Sequence, residues 1–424
     1  MAGALPPDWK IVPFREIADY RLGRTPPRNS GRFWSASSAA FPWVSIADLR
    51  PFGTVNRTTE SVTADAYEEI FQRQLAPAGT LLMSFKLTIG RTSVLDIDAF
   101  HNEAIISIFP RESVDRDFLK FYLPTINFAD HQDRAVKGQT LNRGKIDRLP
   151  VVLPPLDEQR VIAHTLETIR LRVEKEAAIC DKLAALKSAT MAKLFREGLR
   201  GEPLKQTEIG EIPESWEVVS IGNLSRVKGG KRMPKGVALQ AADSGRPYIR
   251  VADFDNHTVK LDGLMYVPCG YEEVIARYRV DAGDVYISIA GTIGEVGQIP
   301  EALQGANLTE NAAKLVFTGN TVLPRYVMYA LASPSGRDQI ARLTTKNAQP
   351  KLALARIEQI RLPRPPTLEE QQELVAILDT INGDFLVHRQ KSRSLEKLFR
   401  MMLHRLMTGA IRVKDLDLAE VSHA

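Results

Sequence analysis

The 424 residues predict an α+β fold written twice, each copy a mixed domain followed by one long helix. Three observations predict it. Short motifs return in the same order at a nearly constant distance. Two long stretches carry apolar residues at heptad spacing. Short strand-like runs, punctuated by Gly, Pro and Asn, fill the sequence before each of those stretches.

The repeat comes first. Leu5-Pro6-Pro7-Asp8-Trp9 returns as Ile212-Pro213-Glu214-Ser215-Trp216, and Pro42-Trp43-Val44-Ser45-Ile46-Ala47-Asp48 as Pro247-Tyr248-Ile249-Arg250-Val251-Ala252-Asp253. Gly79 to Ser84 matches Gly283 to Ser288, and Thr88-Ile89-Gly90 matches Thr292-Ile293-Gly294. Pro154-Pro155-Leu156-Asp157-Glu158-Gln159 matches Pro365-Pro366-Thr367-Leu368-Glu369-Glu370-Gln371, with one residue inserted. A period of about 207 residues is too long for a solenoid. It predicts mixed domains at 1–154 and 205–364, with helical segments at 155–204 and 365–424.

Within the mixed domains, strands are expected at Phe41 to Ile46, Thr80 to Phe85, Ala104 to Phe109 and Leu149 to Leu153. Their counterparts are Tyr248 to Val251, Asp284 to Ile289 and Lys314 to Phe317. Short helices are expected at Asp115 to Leu123 and Arg325 to Leu331.

Pro-Pro precedes each long helix, since proline tolerates a first helical turn but not an interior one. The second helix carries Leu374, Leu378, Ile381, Phe385, His388, Ser392, Leu395, Phe399, Met402 and Leu406 at alternating spacings of four and three. The first carries Ile162, Leu166, Ile169, Val173, Glu176, Cys180, Leu183, Lys187, Thr190 and Leu194. Such a seam is that of a coiled coil. About 42 residues at 1.5 Å each span roughly 63 Å, more than a 150-residue globule is wide. The two seams most economically bury each other. Gly198 and Gly409 are the expected helix ends, and Gly383 is a point where the second helix could bend. Run antiparallel, the helices could bring Glu176 against His388 and so help to fix register.

Composition narrows the function classes. Hydrophobic residues make up 44% and charged residues 25%, which excludes a disordered or collagenous chain. Cys180 and Cys269 are too few for a disulfide framework or a Cys-rich zinc motif, and both read as buried small hydrophobes in a reducing compartment. With no apolar run long enough to span a membrane, a cytoplasmic protein is expected. Catalytic motifs do not surface. Gly138-Gln-Thr-Leu-Asn-Arg-Gly144-Lys145-Ile146 misses a phosphate loop by one residue, and puts Ile where a hydroxyl belongs. The seven histidines show no metal-ligand spacing.

The net charge of +5 is mild, but the positive charge is local. Arg21, Arg24, Arg28 and Arg32 share a Gly/Pro/Ser-rich stretch without an acid, and Arg226, Lys228, Lys231, Arg232 and Lys235 repeat that placement. A second basic cluster precedes each long helix. In the first copy it includes Lys137, Arg143 and Lys145 with Gln139 and Asn142, and in the second Lys346 and Lys351 with Asn347 and Gln349. Lys and Arg suit phosphate contacts, while Asn, Gln and Arg suit base edges. Two such readers on a rigid strut form a ruler, which predicts a split DNA site with an unread spacer.

Taken together, the Trp9 and Trp216 openings, the strands ending at Ser84 and Ser288, Asn307-Leu-Thr-Glu-Asn311-Ala and the helix starts ending at Gln159 and Gln371 resemble the specificity subunit of type I restriction–modification systems over essentially the full length. The resemblance implies two target recognition domains related by pseudo-two-fold symmetry, joined by an antiparallel coiled coil. It implies a chain without catalysis or cofactor of its own. Two modification subunits would bring S-adenosylmethionine and methylate adenine, and restriction subunits would use ATP and Mg²⁺. Two other readings stand beside it: the recognition region of a fused methyltransferase or nuclease, and a non-catalytic protein scaffold.

Overall fold

The computed structural model describes residues 5–36, 40–86, 88–128, 133–135, 138–345 and 348–415. The chain divides into two compact units, Met1–Glu176 with Lys391–Ala424, and Ala177–Gln390. Each unit therefore holds one mixed domain, the near half of one long helix and the far half of the other.

In the first unit, among the described residues, the central sheet runs Ala18–Leu22, Ile105–Pro110, Leu81–Ser84, Thr92–Leu95, Gly53–Val55, antiparallel except for the last pair. A second sheet runs Trp34–Ser35, Glu60–Val62, Phe41–Val44, Phe100–His101, again ending on a parallel pair. The second unit repeats the plan. Its central sheet is Ser225–Gly229, Ala312–Phe317, Val285–Ser288, Val296–Gln298, and its second is Met265–Tyr266, Pro247–Ile249, Asn307–Leu308. Leu81–Ser84 and Val285–Ser288 are buried on both faces. That is why they read as unbroken apolar runs instead of alternating ones. Short helices Arg116–Tyr122 and Pro324–Ala332 pack on these sheets where expected.

The repeated motifs prove to be joints. Ser84 Oγ donates to the Thr88 carbonyl and accepts from Arg91 N (3.2 Å). Ser288 Oγ does the same with Thr292 O (2.5 Å) and Glu295 N (2.8 Å). Each serine thus pins a Thr-Ile-Gly turn whose glycine, Gly90 or Gly294, has positive φ. Gln159 Oε1 accepts from Asp115 N (2.9 Å) while its amide donates to Ser113 O (3.3 Å), tying the long helix to the start of the short one, and also to Pro154 O (2.9 Å). Gln371 repeats this with Leu323 N (2.9 Å) and Thr321 O (3.2 Å). Trp9 donates to Glu158 Oε2 (3.0 Å), and Arg412 bridges Glu158 and Asp8. Burial raises the Glu158 pKa, but the bonds from Arg412 and Trp9 outweigh it and hold the carboxyl low.

The long helices are Leu156–Glu197 and Leu368–Met407, each followed by a glycine near its end, Gly198 and Gly409, at positive φ. They run antiparallel within each unit. In the first, Glu176 pairs with Lys391 (2.7 Å) while the earlier Glu158 meets the later Arg412 (2.7 Å). In the second, Lys187 bonds Asn382 (2.8 Å) and the later Arg200 meets the earlier Glu373 (2.9 Å). The seam residues Ile162, Leu166, Ile169, Leu374, Leu378 and Leu406 are buried. Val173, Leu183, Ile381, Phe385, Leu395, Phe399 and Met402 are half-buried. Three polar seam positions are buried too: Glu176 at 5% exposure, Lys187 at 9% and Ser392. Glu176 has Lys391 as an ion-pair partner within its unit. The cysteine reading needs a correction: Cys269 is exposed and Cys180 is half-buried.

Candidate nucleic-acid interface

In each unit, both basic segments lie beside the end of the central strand where the Thr-Ile-Gly loop turns. In the second unit Leu352 N donates to Ile289 O (3.0 Å), and Lys351 bridges Ala290. Leu354 lies against Gly229 at the end of the strand that carries Arg226 and Lys228. In the first unit Leu141 N donates to Phe85 O (3.1 Å), which sets Asn142, Arg143 and Lys145 at the same place. Gly23 and Gly230 leave their edge strands there. A Cβ at either would overlap carbonyl oxygens, of His101 and Asn102 or of Leu308 and Thr309, so only glycine fits.

The individual cations differ in how free they are. Arg21 is exposed and lies over the Phe109 ring (5.1 Å). Arg24 donates to the Ile70 carbonyl. Arg28 pairs with Glu60 and lies over Trp34 (4.2 Å), and Arg32 pairs with Asp65 (2.8 Å) and Glu69. Their acids come from a strand and helix some thirty residues on, so a stretch that looks acid-free in sequence is neutralised in space. In the second unit Arg226, Lys228 and Lys235 are exposed. The Lys231 ammonium sits over Tyr278 (5.9 Å), and Arg232 pairs with Glu310 (2.5 Å). Exposed pairs of this kind are weak and screened by salt, so a phosphate can displace the acid.

Among the polar readers, Asn142 Oδ1 accepts from Lys145 N (3.0 Å) and caps the helix Arg143–Asp147. Arg143 lies over Tyr20 (5.7 Å), whose hydroxyl donates to Asp147 (2.7 Å). Burial, then that carboxylate, pushes the Tyr20 pKa to about 12. Gln139 lies on the strand Gly138–Thr140, opposite Arg134. Gln349 and Lys351 are exposed, and Lys351 exchanges backbone-level bonds with Thr345 (2.9 and 3.0 Å). Lys137, Lys346 and Asn347 lie outside the described residues.

Clustering by charge misses one cleft of the first unit. Arg50, Asn56, Arg57, Thr58 and Thr59 line it together with Asp48, which accepts from Thr59 (2.6 Å). Its two cations, Arg50 and Arg57, stand singly in the sequence and so form no basic cluster. No cluster of His, Cys, Asp and Glu able to hold a metal occurs among the described residues. No helix among them is long and apolar enough to cross a membrane.

A duplicated mixed domain with a basic rim, joined to paired long helices, is the architecture of a two-part DNA reader. The family model for the type I restriction modification DNA specificity domain matches residues 6–184 and 213–397, once per copy, and the chain belongs to that family. It is 21% identical to the type I restriction enzyme MjaVIII specificity subunit of Methanocaldococcus jannaschii, over 97% of this chain and 95% of the relative. It is 26% identical to the Escherichia coli EcoBI specificity subunit, over 60% of this chain and 55% of that one. Among solved structures, the type I restriction-modification S subunit of M. genitalium superposes with a TM-score of 0.62 at 13% identity, covering 94% of this chain and 96% of that one. A second, from a study of complex assembly in a type I restriction–modification system, gives 0.54 at 18% identity, covering 98% and 100%.

Proposed function

We propose that the chain is the DNA specificity subunit of a type I restriction–modification complex and that each mixed domain reads one half of a bipartite duplex site. The observation that carries this reading is the duplicated basic rim, built around the same serine-pinned turn in both copies. The coiled coil sets the unread spacer. Phosphates dock on Arg21, Arg143, Arg226, Lys228, Lys235 and Lys351. Base edges are read from the turns beside them, since phosphate contacts fix register but carry no sequence.

The chain itself is non-catalytic and binds no cofactor. Methyl transfer and cleavage belong to modification and restriction subunits, which carry S-adenosylmethionine, ATP and Mg²⁺. Leu186 and Leu398 occupy equivalent positions on the two long helices and are 51% and 36% exposed. Such a duplicated apolar site suits two copies of one modification subunit.

Binding of the full chain to a duplex carrying its site should weaken steeply as salt rises, because several phosphates are contacted. A flat response would favour a scaffold that binds protein. Methyl transfer to DNA by the isolated chain with S-adenosylmethionine would overturn the non-catalytic assignment.

A further inference from the structure

The same turn of the mixed domain meets the long helices in both units, with opposite chemistry. In the first unit the turn is Arg50 to Gly53, closed by Gly53 N to Arg50 O (2.9 Å), with Phe52 at φ 59°. Its ring stacks on Phe121 (5.5 Å) and meets Phe399 of the second long helix edge-on (5.5 Å). The equivalent turn in the second unit is Asp255 to Thr258, with Asn256 at φ 44° and His257 at φ 67°. The His257 ring meets Tyr329 edge-on (5.7 Å), where Phe52 stacks on Phe121 in the first unit. In place of a third ring stands Lys187, which occupies in the first helix the seam position that Phe399 occupies in the second. Lys187 Nζ donates to Asn382 Oδ1 (2.8 Å) and Asn256 Oδ1 (3.1 Å), and Asn256 also donates to Asn382 (2.9 Å). Arg389 clamps the turn through both oxygens of Asp255 (2.6 and 2.8 Å).

These two contact sets do not interchange. Lys187 is 9% exposed, and the acceptors that hold it are neutral amides. Burial, with Arg337 and Arg389 nearby, brings its pKa down to about 8. Facing Phe52 instead, the ammonium would lose the Asn256 acceptor, a heavy cost for a buried charge. Facing Phe399, the half-buried Asn256 would keep its bond to Asn382, but its Oδ1 would lose the ammonium and lie against a ring. Both mismatches arise together if a repeat pairs with a second copy of itself from another chain, because each turn then meets its own helix type.

We propose that Phe52–Phe121–Phe399 and Asn256–Lys187–Asn382 form a matched key, which seats each mixed domain on its own half of the helix pair and disfavours pairing between like repeats of two chains. One aromatic contact set and one polar set distinguish two halves that share a fold, as a buried polar residue fixes register in a coiled coil.

The test uses the full-length chain, hydrogen exchange read by mass spectrometry in each unit, and light scattering. Asn256→Ala should lower protection of the second unit by tenfold or more, but by less than twofold when Lys187→Met is already present. Equal losses in both backgrounds would overturn the key. Phe399→Lys should lower first-unit protection at least tenfold more than Phe399→Leu does, and Pro51→Asn with Phe52→His should restore part of it. Phe399→Lys should also raise the scattering mass from one chain toward two, because Asn256 of one copy then finds a lysine on another. Phe399→Lys matching Phe399→Leu in protection and mass would overturn the proposal. Should Phe399→Lys not fold, the Asn256 and Lys187 cycle decides alone.

Discussion

Lys187 is the residue whose chemistry is most exposed to test by pH. Its folded pKa, about 8, lies below the ordinary lysine value of 10.5 because burial disfavours the ammonium. The unfolded chain then binds more protons between those two values, so stability should rise with pH across that window. The penalty is fully present below about 8 and is relieved as pH approaches 10.5. In urea melts followed at Trp216, the second unit should gain stability from pH 8 to 10, and Lys187→Met should abolish that gain. His257 adds an acid limb. Burial, then Lys187, brings its pKa from 6.5 to about 4, so stability should fall as pH drops through that range. A second residue-scale expectation concerns the joints. Gln159→Ala and Gln371→Ala each orphan buried backbone groups and should cost about 1–3 kcal/mol apiece, read as a lower urea midpoint. The loss at Gln159 should be the larger, since it adds a bond to Pro154 O to the pair that both glutamines share.

Elements were legible where their signal was local. The strand Leu81–Ser84, the helix Arg116–Tyr122 and both long helices fall where periodicity and turn residues put them. The polar seam residues were legible as positions but not as partners. Nothing local reveals that Lys187 is held by Asn256, 69 residues away. Likewise Arg28 and Arg32 looked like free cations, because Glu60, Asp65 and Glu69 reach them only through the packing of the second sheet. The motifs that announced the family, at Trp9, Ser84 and Gln159 and their copies, are joints of the scaffold. They identify the architecture because joints recur in both copies, whereas the reading loops need not. At this scale the ruler can be tested. Removing one heptad from both long helices shortens the strut by about 10 Å, roughly three base pairs at 3.4 Å each. The preferred spacer should contract by that amount while both half-sites keep their sequence. An unchanged spacer would show that the helices do not set it.

At the scale of the molecule, the duplication explains why a net charge of +5 said so little. Exposed cations such as Arg21, Arg226, Lys228 and Lys351 stand in each unit beside a turn built the same way twice, and acids, some of them paired with cations of the same segments, cancel them in the total. Charge removal at that rim should act without regard to sequence. Arg226→Ala with Lys228→Ala should weaken specific and non-specific duplex binding alike and make the salt dependence shallower, by a slope change of about one to two. Loss of specificity at fixed affinity would instead place these side chains on base edges.

The most direct measurement is selection of bound duplexes from a randomised library by the chain assembled with its modification subunits. Two short fixed blocks separated by an unread spacer of constant length are the predicted outcome. One contiguous block, or blocks at variable spacing, would contradict two readers held on a rigid strut.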